Sequence, residues 1–336
     1  MTVRVGVLGG GVMAGVHASA LLGMGSVRLQ ALSSVEISPA LGRLAADARI
    51  EVVEPEALFE RSDIDAVVIA TPTDTHAGIA LRAIDAGWDV FCEKPLAREV
   101  ADAERMVEAA RAQGVRLAVG HVVRYMPAYA RVRREMREGR IGNLGVARLR
   151  RLNSSPSGGR PWYGDPGRSG GVLLDMGIHD LDWALWALGP VERVSALRSK
   201  RDDREVAMMT LAHLSGALSS IELSWCHPGG FAWSIEVSGS TGLLRADSDA
   251  QRTLHVERDE KAHGHGQGAV PARPLKGGVD TGSGEAYRLQ LEEVMAWFDG
   301  GEAPLAQGVD GLEALRVGVA ALQSAETRSP VSLVRP

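Results

Sequence analysis

The stretch Val3-Arg4-Val5-Gly6-Val7-Leu8-Gly9-Gly10-Gly11-Val12-Met13-Ala14 decides the fold. Its first six residues, apolar except for Arg4 and Gly6, read as a short buried strand. Three glycines follow, and Val12–Leu22 then has the composition of a helix. A strand, a glycine turn and a helix in that order form a phosphate-binding frame. Gly9 permits the tight turn, Gly11 lets the backbone approach a pyrophosphate, and Ala14 lets helix and strand pack closely. The N–H groups at the helix start, around Val12 and Met13, attract phosphate oxygens. A dinucleotide is therefore the expected ligand. Five glycines before Val16 break the apolar run of Met1–Gly25, so this segment reads as strand and loop rather than as a secretory leader.

Strand and helix signals then alternate. Strands are expected at Val27–Leu32, Asp65–Ala70, Asp89–Cys92 and Val115–Val119. Helices are expected at Ile37–Ala48, His76–Ala86 and Val100–Gln113. This alternation predicts a doubly wound parallel sheet with helices on both faces. The pattern changes after residue 121. A charged helix at Pro127–Gly139 precedes a strand at Val146–Leu152, a Gly/Ser/Pro-rich loop at Ser154–Gly171 and a helix at Leu174–Leu188. Strand-like runs follow at Val194–Arg198, Val206–Leu214, Ala217–Ser224, Trp233–Ser238 and Leu243–Ala246. His263–Gly284 reads as a long exposed loop, and Leu289–Asp299 and Gly308–Thr327 as closing helices. The expected class is α/β: an N-terminal Rossmann doubly wound sheet over 1–121, then an α+β domain over 122–336 with an open, mostly antiparallel sheet.

The bulk numbers narrow the partners. The chain has 336 residues, 45% of them hydrophobic and 24% charged, which is enough to bury a real core. A net charge of −5 gives no basic footprint, so nucleic acid is not expected. No apolar run is long enough to span a membrane. Cys92 and Cys226 lack metal or redox spacing, which fits a cytoplasmic setting. Of His255, His263 and His265, two lie in a Gly-rich loop without a carboxylate or cysteine at ligand spacing, so a solvated loop is expected rather than a metal site.

Chemistry is suggested in two places. Glu93-Lys94-Pro95 ends a sheet strand, where open α/β sheets bind ligands. A lysine there can hold a substrate hydroxyl and stabilise a developing alkoxide. Asp175 and His179 lie four apart on an expected helix and can face one ligand. Histidine suits proton transfer near neutrality. Substrate candidates are His121, Arg124, Tyr125, Trp162 and Tyr163 with Asp175 and His179, because aromatic rings stack on sugar C–H faces and Arg binds anionic groups. Arg160, Trp225, His227 and Tyr287 are further candidates. The second strand ends near Ser34, where an acidic residue usually grips the adenosine ribose, so NAD and NADP both remain open.

Taken together, these motifs resemble the Gfo/Idh/MocA oxidoreductases. The resemblance rests on Gly9–Ala14 with His17, Ala70-Thr71-Pro72 with His76, Cys92-Glu93-Lys94-Pro95-Leu96, Gly120–Tyr125, Gly139–Gly142, Gly170–Asp182 and Ser324–Thr327. It implies a two-domain enzyme that moves a hydride between NAD or NADP and a secondary alcohol of a sugar, cyclitol or sugar derivative. It implies Lys94, Asp175 and His179 as the catalytic set. The cofactor set it implies is Gly9, Gly11, Val12, Met13, Ala14, Ser34, Thr71, Pro72, His76, Glu93 and Lys94. Members commonly form homo-oligomers through the second sheet, so a dimer or tetramer is expected. Two other readings stay open: a nucleotide-binding sensor or regulator without turnover, and a redox-neutral sugar enzyme that retains its NAD.

Overall fold

The computed structural model describes residues 2–156, 161–228, 230–248, 255–258 and 283–333. The chain groups into two compact units. One comprises Met1–Tyr125, Gly167–Ser169 and Gly282–Leu315; the other comprises Met126–Pro166, Gly170–Thr281 and Arg316–Pro336.

The first unit opens with β1 (Val3–Leu8), α1 (Val12–Leu22), β2 (Val27–Ser33), α2 (Pro39–Ala48), β3 (Glu51–Val53) and α3 (Pro55–Phe59). It continues through β4 (Ala66–Ile69), α4 (His76–Asp85), β5 (Asp89–Cys92), α5 (Val100–Gln113) and β6 (Leu117–Val119). The strand order is β3-β2-β1-β4-β5-β6 and every pairing is parallel. Residues 66–69 are buried at every position, as a strand covered on both faces requires. Helix ends follow local chemistry. Ser38 caps α2 by accepting the Leu41 N–H, with Pro39 in the first turn, and Gly114 ends α5 in the left-handed conformation. Short β3 and α3 are additional to the elements read from sequence. The order reverses at β1, between β2 and β4, so the carboxyl end of β1 is the switch point where such sheets take ligands. The glycine loop occupies that end.

In the second unit, α6 (Pro127–Arg137) precedes β7 (Leu144–Leu152). Two short helices, α7 (Pro161–Gly164) and α8 (Pro166–Ser169), lie within the run expected to be all loop. Then come α9 (Ile178–Leu188), β8 (Val191–Arg201), β9 (Arg204–His213), β10 (Leu218–Ser224), β11 (Ala232–Gly239), β12 (Gly242–Asp247) and β13 (His255–Arg258). The chain closes with α10 (Ser283–Phe298), α11 (Gly308–Thr327) and β14 (Val331–Ser332). The eight-stranded sheet runs β13-β12-β11-β7-β10-β9-β8-β14. Only β7 with β10 is parallel. Burial alternates along β9 and β10 and leaves one sheet face open. That face carries the ion pairs Arg148–Glu236 (2.9 Å) and Arg150–Glu222 (2.8 Å), with exposed Met208 and Leu197 paired across strands.

The compact units differ from the expected 121/122 division in that Val122–Tyr125, Gly167–Ser169 and Gly282–Leu315 group with the first unit. α10 belongs with the first unit, where Leu291, Val294, Met295 and Phe298 share an apolar cluster with Ala14, Ala18 and Leu21 of α1. Each such large side chain contributes at most about 1.5–3 kcal/mol through burial. His263 and His265 lie outside the described residues. Among the described residues no helix is long and apolar enough to cross a membrane, and no group of three potential metal ligands forms.

Candidate active site

The glycine loop shows why each of its residues is small. Gly9 has φ +136°, and a Cβ there would lie 2.4 Å from the Ala70 carbonyl oxygen. A Cβ at Gly10 would lie 1.7 Å from the Glu36 carbonyl oxygen. Gly11 is different: a Cβ there meets nothing within 4 Å. Gly11 caps α1 with no side chain on the helix N–H groups, Val12 beside it is 58% exposed, and Ala14 is fully buried. The loop is thus packed on one side and open on the other, and the open side presents bare N–H groups to an anion. These residues fit a dinucleotide pyrophosphate. Ser34 spends its hydroxyl locally: Oγ donates to the Glu36 carbonyl at 2.6 Å and accepts the Glu36 N–H at 3.3 Å.

The other candidates of this unit follow strand carboxyl ends. Thr71 and Pro72 follow β4. His76 links two loops, its Nδ1 lying 2.8 Å from the Pro95 carbonyl and its Nε2 3.0 Å from that of Thr71. Burial depresses the pKa of this ring, and the two carbonyls offset part of that effect. Lys94 follows β5, and the Lys94–Pro95 peptide bond is cis. Glu93 is buried, and its Oε1 accepts from His17 Nε2 at 2.7 Å while its Oε2 accepts the Lys94 N–H at 3.1 Å. Burial alone would raise the pKa of this carboxyl; the hydrogen bond from His17 and the charges of His17 and Lys94 outweigh it and hold the pKa below the usual carboxylate range. His121 is buried at the end of β6, where burial and then the Arg124 charge push its pKa down to about 3.

Arg124 and Tyr125, expected at the substrate, are committed elsewhere. Arg124 donates to the Leu305 carbonyl and, at 3.1 Å, to Asp310. Tyr125 donates to Glu293 at 2.6 Å and accepts the Leu305 N–H at 3.2 Å. Burial and Glu293 both raise the pKa of this phenol. The two side chains fasten the 293–310 stretch onto the first unit, a demand that the sequence around residues 120–125 does not announce.

In the second unit, Asp175 lies in a π-helical turn, Val172–Met176, and His179 in the first turn of α9. The expected single helix from Leu174 is therefore broken at Gly177. The Gly177 N–H bonds the Val172 carbonyl, and a Cβ at Gly177 would lie 2.4 Å from the Leu173 oxygen. From Ser169 to Ala184 every residue is buried except Asp175 and His179. Those two are the only polar contribution of this segment to accessible surface. Next to His179, buried Asp180 takes a two-pronged bond from buried Arg151 of β7, at 2.8 and 2.9 Å. Arg151 also donates to Tyr129 at 3.1 Å. Burial lowers the guanidinium pKa, but the Asp180 charge raises it more, so the arginine stays charged. This pair fixes the start of α9 against the sheet. Asp182, three residues after His179, is itself fully buried.

Trp162 and Tyr163 are partly buried and stacked, with centroids 3.9 Å apart. Trp225 is core, at 4% exposure, and Arg160 lies outside the described residues. Sequence reading missed the anchoring roles of His17, Arg151 and Asp180, and the tight fit of Gly10. The signals present in the sequence were the middle glycine of the Gly9–Gly11 run and His17, which is part of the family resemblance.

Residues 3–121 match the family described as "Oxidoreductase family, NAD-binding Rossmann fold", and residues 129–245 match the GFO/IDH/MocA C-terminal domain. The chain belongs to the GFO/IDH/MocA oxidoreductase family. The glycine loop Gly9–Ala14 lies within the part matched by the NAD-binding domain. The chain is 33% identical to an inositol 2-dehydrogenase of Rhizobium meliloti (strain 1021), covering 99% of this chain and 100% of that one. It is 32% identical to a myo-inositol 2-dehydrogenase of Thermotoga maritima, covering 98% of both. A solved oxidoreductase domain protein from Kribbella flavida superposes with a TM-score of 0.87 at 26% identity, each chain covered in full.

Proposed function

We propose that the chain is an NAD(P)-dependent dehydrogenase of a secondary alcohol on a cyclitol, sugar or sugar derivative. The observation that carries this reading is the exposure pattern around α9. Within a buried segment, an acid and a histidine alone are open, and burying everything else about them leaves a pair suited to holding and deprotonating a hydroxyl. The full-length likeness to inositol 2-dehydrogenases supports the substrate class.

When bound, the nicotinamide supplies the two-electron partner of the alcohol carbon. Gly9, Gly11, Val12, Met13 and Ala14 hold the pyrophosphate, with Ser34 on the ribose side and Thr71, Pro72 and His76 on the nicotinamide side. His179 takes the hydroxyl proton through a ring nitrogen. Asp175 orients the hydroxyl. The Lys94 ammonium stabilises negative charge developing on the oxygen. The Trp162–Tyr163 stack offers a flat apolar platform to a ring C–H face. A neutral Ser34 neither attracts the 2′-hydroxyl as a carboxylate would nor repels a 2′-phosphate, so both nucleotides are expected to serve. The enzyme works as a homo-oligomer through its open sheet face, in a reducing cytoplasm that suits the exposed thiol of Cys226. Light scattering on the eluting protein measures the mass; a monomer at micromolar concentration removes that part.

The deciding experiment follows reduced-nicotinamide absorbance with NAD or NADP against cyclitols, aldoses and sugar nucleotides. Growth of the band with one of them is expected. A flat response from protein that binds the nucleotide sinks the dehydrogenase reading.

A further inference from the structure

Glu93 is an expensive way to fill the space behind Lys94. A carboxylate buried to 6% exposure carries a desolvation cost, and well-packed apolar residues of similar volume are often at least as stabilising. The surroundings are nevertheless built around it. A Cβ at Gly120 would lie 3.0 Å from Glu93 Oε2 and 3.2 Å from its Cα, so a side chain at 120 displaces the carboxylate. His17 is fully buried, with Phe91 and Tyr287 edge-on at 5.2 and 5.9 Å. Among the described residues its Nδ1 has no hydrogen-bond partner, and the Glu93 contact is the polar bond that holds the ring. The two carboxylate oxygens are divided: one is held by His17, and the other holds the Lys94 N–H.

We propose that His17 and Glu93 are positioning residues for Lys94, with His17 fixing the carboxylate rotamer and the carboxylate fixing the lysine's backbone. The proposal rests on the reading of Lys94 as the group that stabilises the substrate oxygen. Its physical content is orientation. Unless His17 donates to Oε1, the carboxylate is free to turn, and Oε2 no longer meets the Lys94 N–H. A displacement of about 1 Å at a reacting group costs on the order of 100-fold in rate. Glycine at position 11 serves the nucleotide; His17, one and a half turns further along the same helix, serves the lysine. One helix thereby carries both the phosphate-binding end and the support for the catalytic cation.

The test compares Glu93→Gln, His17→Leu, His17→Gln and Lys94→Ala with the wild type. Gln at 17 places an amide N–H near the position of the histidine Nε2, whereas Leu removes the donor at similar volume. The proposal expects Glu93→Gln and His17→Leu to lower kcat about 10- to 100-fold. It expects the KM for the alcohol and the Kd for the nucleotide to stay within about threefold, and His17→Gln to keep kcat within about threefold of wild type. A second readout needs no turnover. The rate at which Lys94 is labelled by an amine-reactive reagent, read by peptide mass, should shift about threefold or more in Glu93→Gln and His17→Leu. It should be unchanged in His17→Gln, with Lys200 as the internal reference. Wild-type kcat and wild-type labelling in Glu93→Gln and His17→Leu overturn the proposal. So does damage that falls on nucleotide affinity instead of kcat, or His17→Gln failing as His17→Leu does. Lys94→Ala at full kcat overturns the reading of the site itself, and is thereby distinguished from failure of the positioning pair.

Discussion

Lys94 in the first unit and His179 in the second have the same kind of chain neighbour, a buried carboxylate held by a buried nitrogen base, yet the two arrangements differ. Asp180 gives both oxygens to one arginine, which reaches on to Tyr129. Glu93 gives one oxygen to His17 and the other to the lysine's own backbone. The arginine pair therefore fixes an element, the first turn of α9 against β7. The histidine pair reaches through to a single residue. Arginine stays charged at any working pH, while a histidine–carboxylate bond depends on two titratable groups.

The largest effect expected is on His179 itself. His179→Ala should lower kcat by about 10²–10⁴-fold with nucleotide affinity nearly unchanged, measured by steady-state kinetics and fluorescence titration. An equal loss of nucleotide binding removes the proton-transfer role. Next comes its anchor. Arg151→Met leaves the Asp180 carboxylate buried and unpaired and should cost about 3–5 kcal/mol in denaturant unfolding. Adding Asp180→Leu should restore most of that loss. If the restored protein also regains kcat, the pair acts on stability alone and the comparison with Glu93 loses half its meaning.

Acid sharpens the contrast. The Glu93 pKa is lower in the folded protein than in the unfolded chain, so its contribution is fully present above the ordinary carboxylate pKa of about 4.3. It is lost as pH falls through the lower folded value, because the unfolded chain takes up the proton first. Wild type minus Glu93→Gln stability should therefore be flat near neutrality and shrink below about pH 4. A difference that does not change with pH contradicts a charged Glu93. The smallest effect concerns the loop. Gly11→Ala should change stability by less than about 0.5 kcal/mol, since its Cβ meets nothing, while weakening nucleotide binding. Gly9→Ala, aimed into the Ala70 carbonyl at positive φ, should destabilise clearly in the same thermal scan.

The Rossmann half was legible because its signals are local: apolar runs, glycines at φ-positive turns, and helix stops such as Gly114. Asp175 and His179 do not share the one helix read from their spacing: Asp175 lies in a π turn and His179 in α9. Three things were not legible. α10 shows a helical apolar pattern, but nothing in Leu291, Val294, Met295 and Phe298 says that their partner is α1, almost three hundred residues earlier. Arg124 and Tyr125 look like substrate groups until Asp310 and Glu293, 186 and 168 residues away, claim them. Glu93 reads as part of a binding motif, and only the position of His17 turns it inward. Each miss is a long-range pairing between side chains whose types fit a surface role equally well.

The second sheet also has to keep its outer strand from recruiting a foreign one. Among the described residues β14 covers β8 where Val331 and Ser332 pair with Val194 and Arg193, and the Leu333 N–H donates to the Glu192 carbonyl at 2.8 Å. The remaining length of β8 relies on charge instead, with Arg198, Lys200 and Arg201 spaced along it. Neutralising these cations would shorten the protein's life in solution on two counts: Arg198 and Lys200 would lose their bonds to Glu205 (2.5 Å) and the Gly164 carbonyl (3.1 Å), and an edge with exposed Leu197 would lose the charges that keep it from templating aggregation.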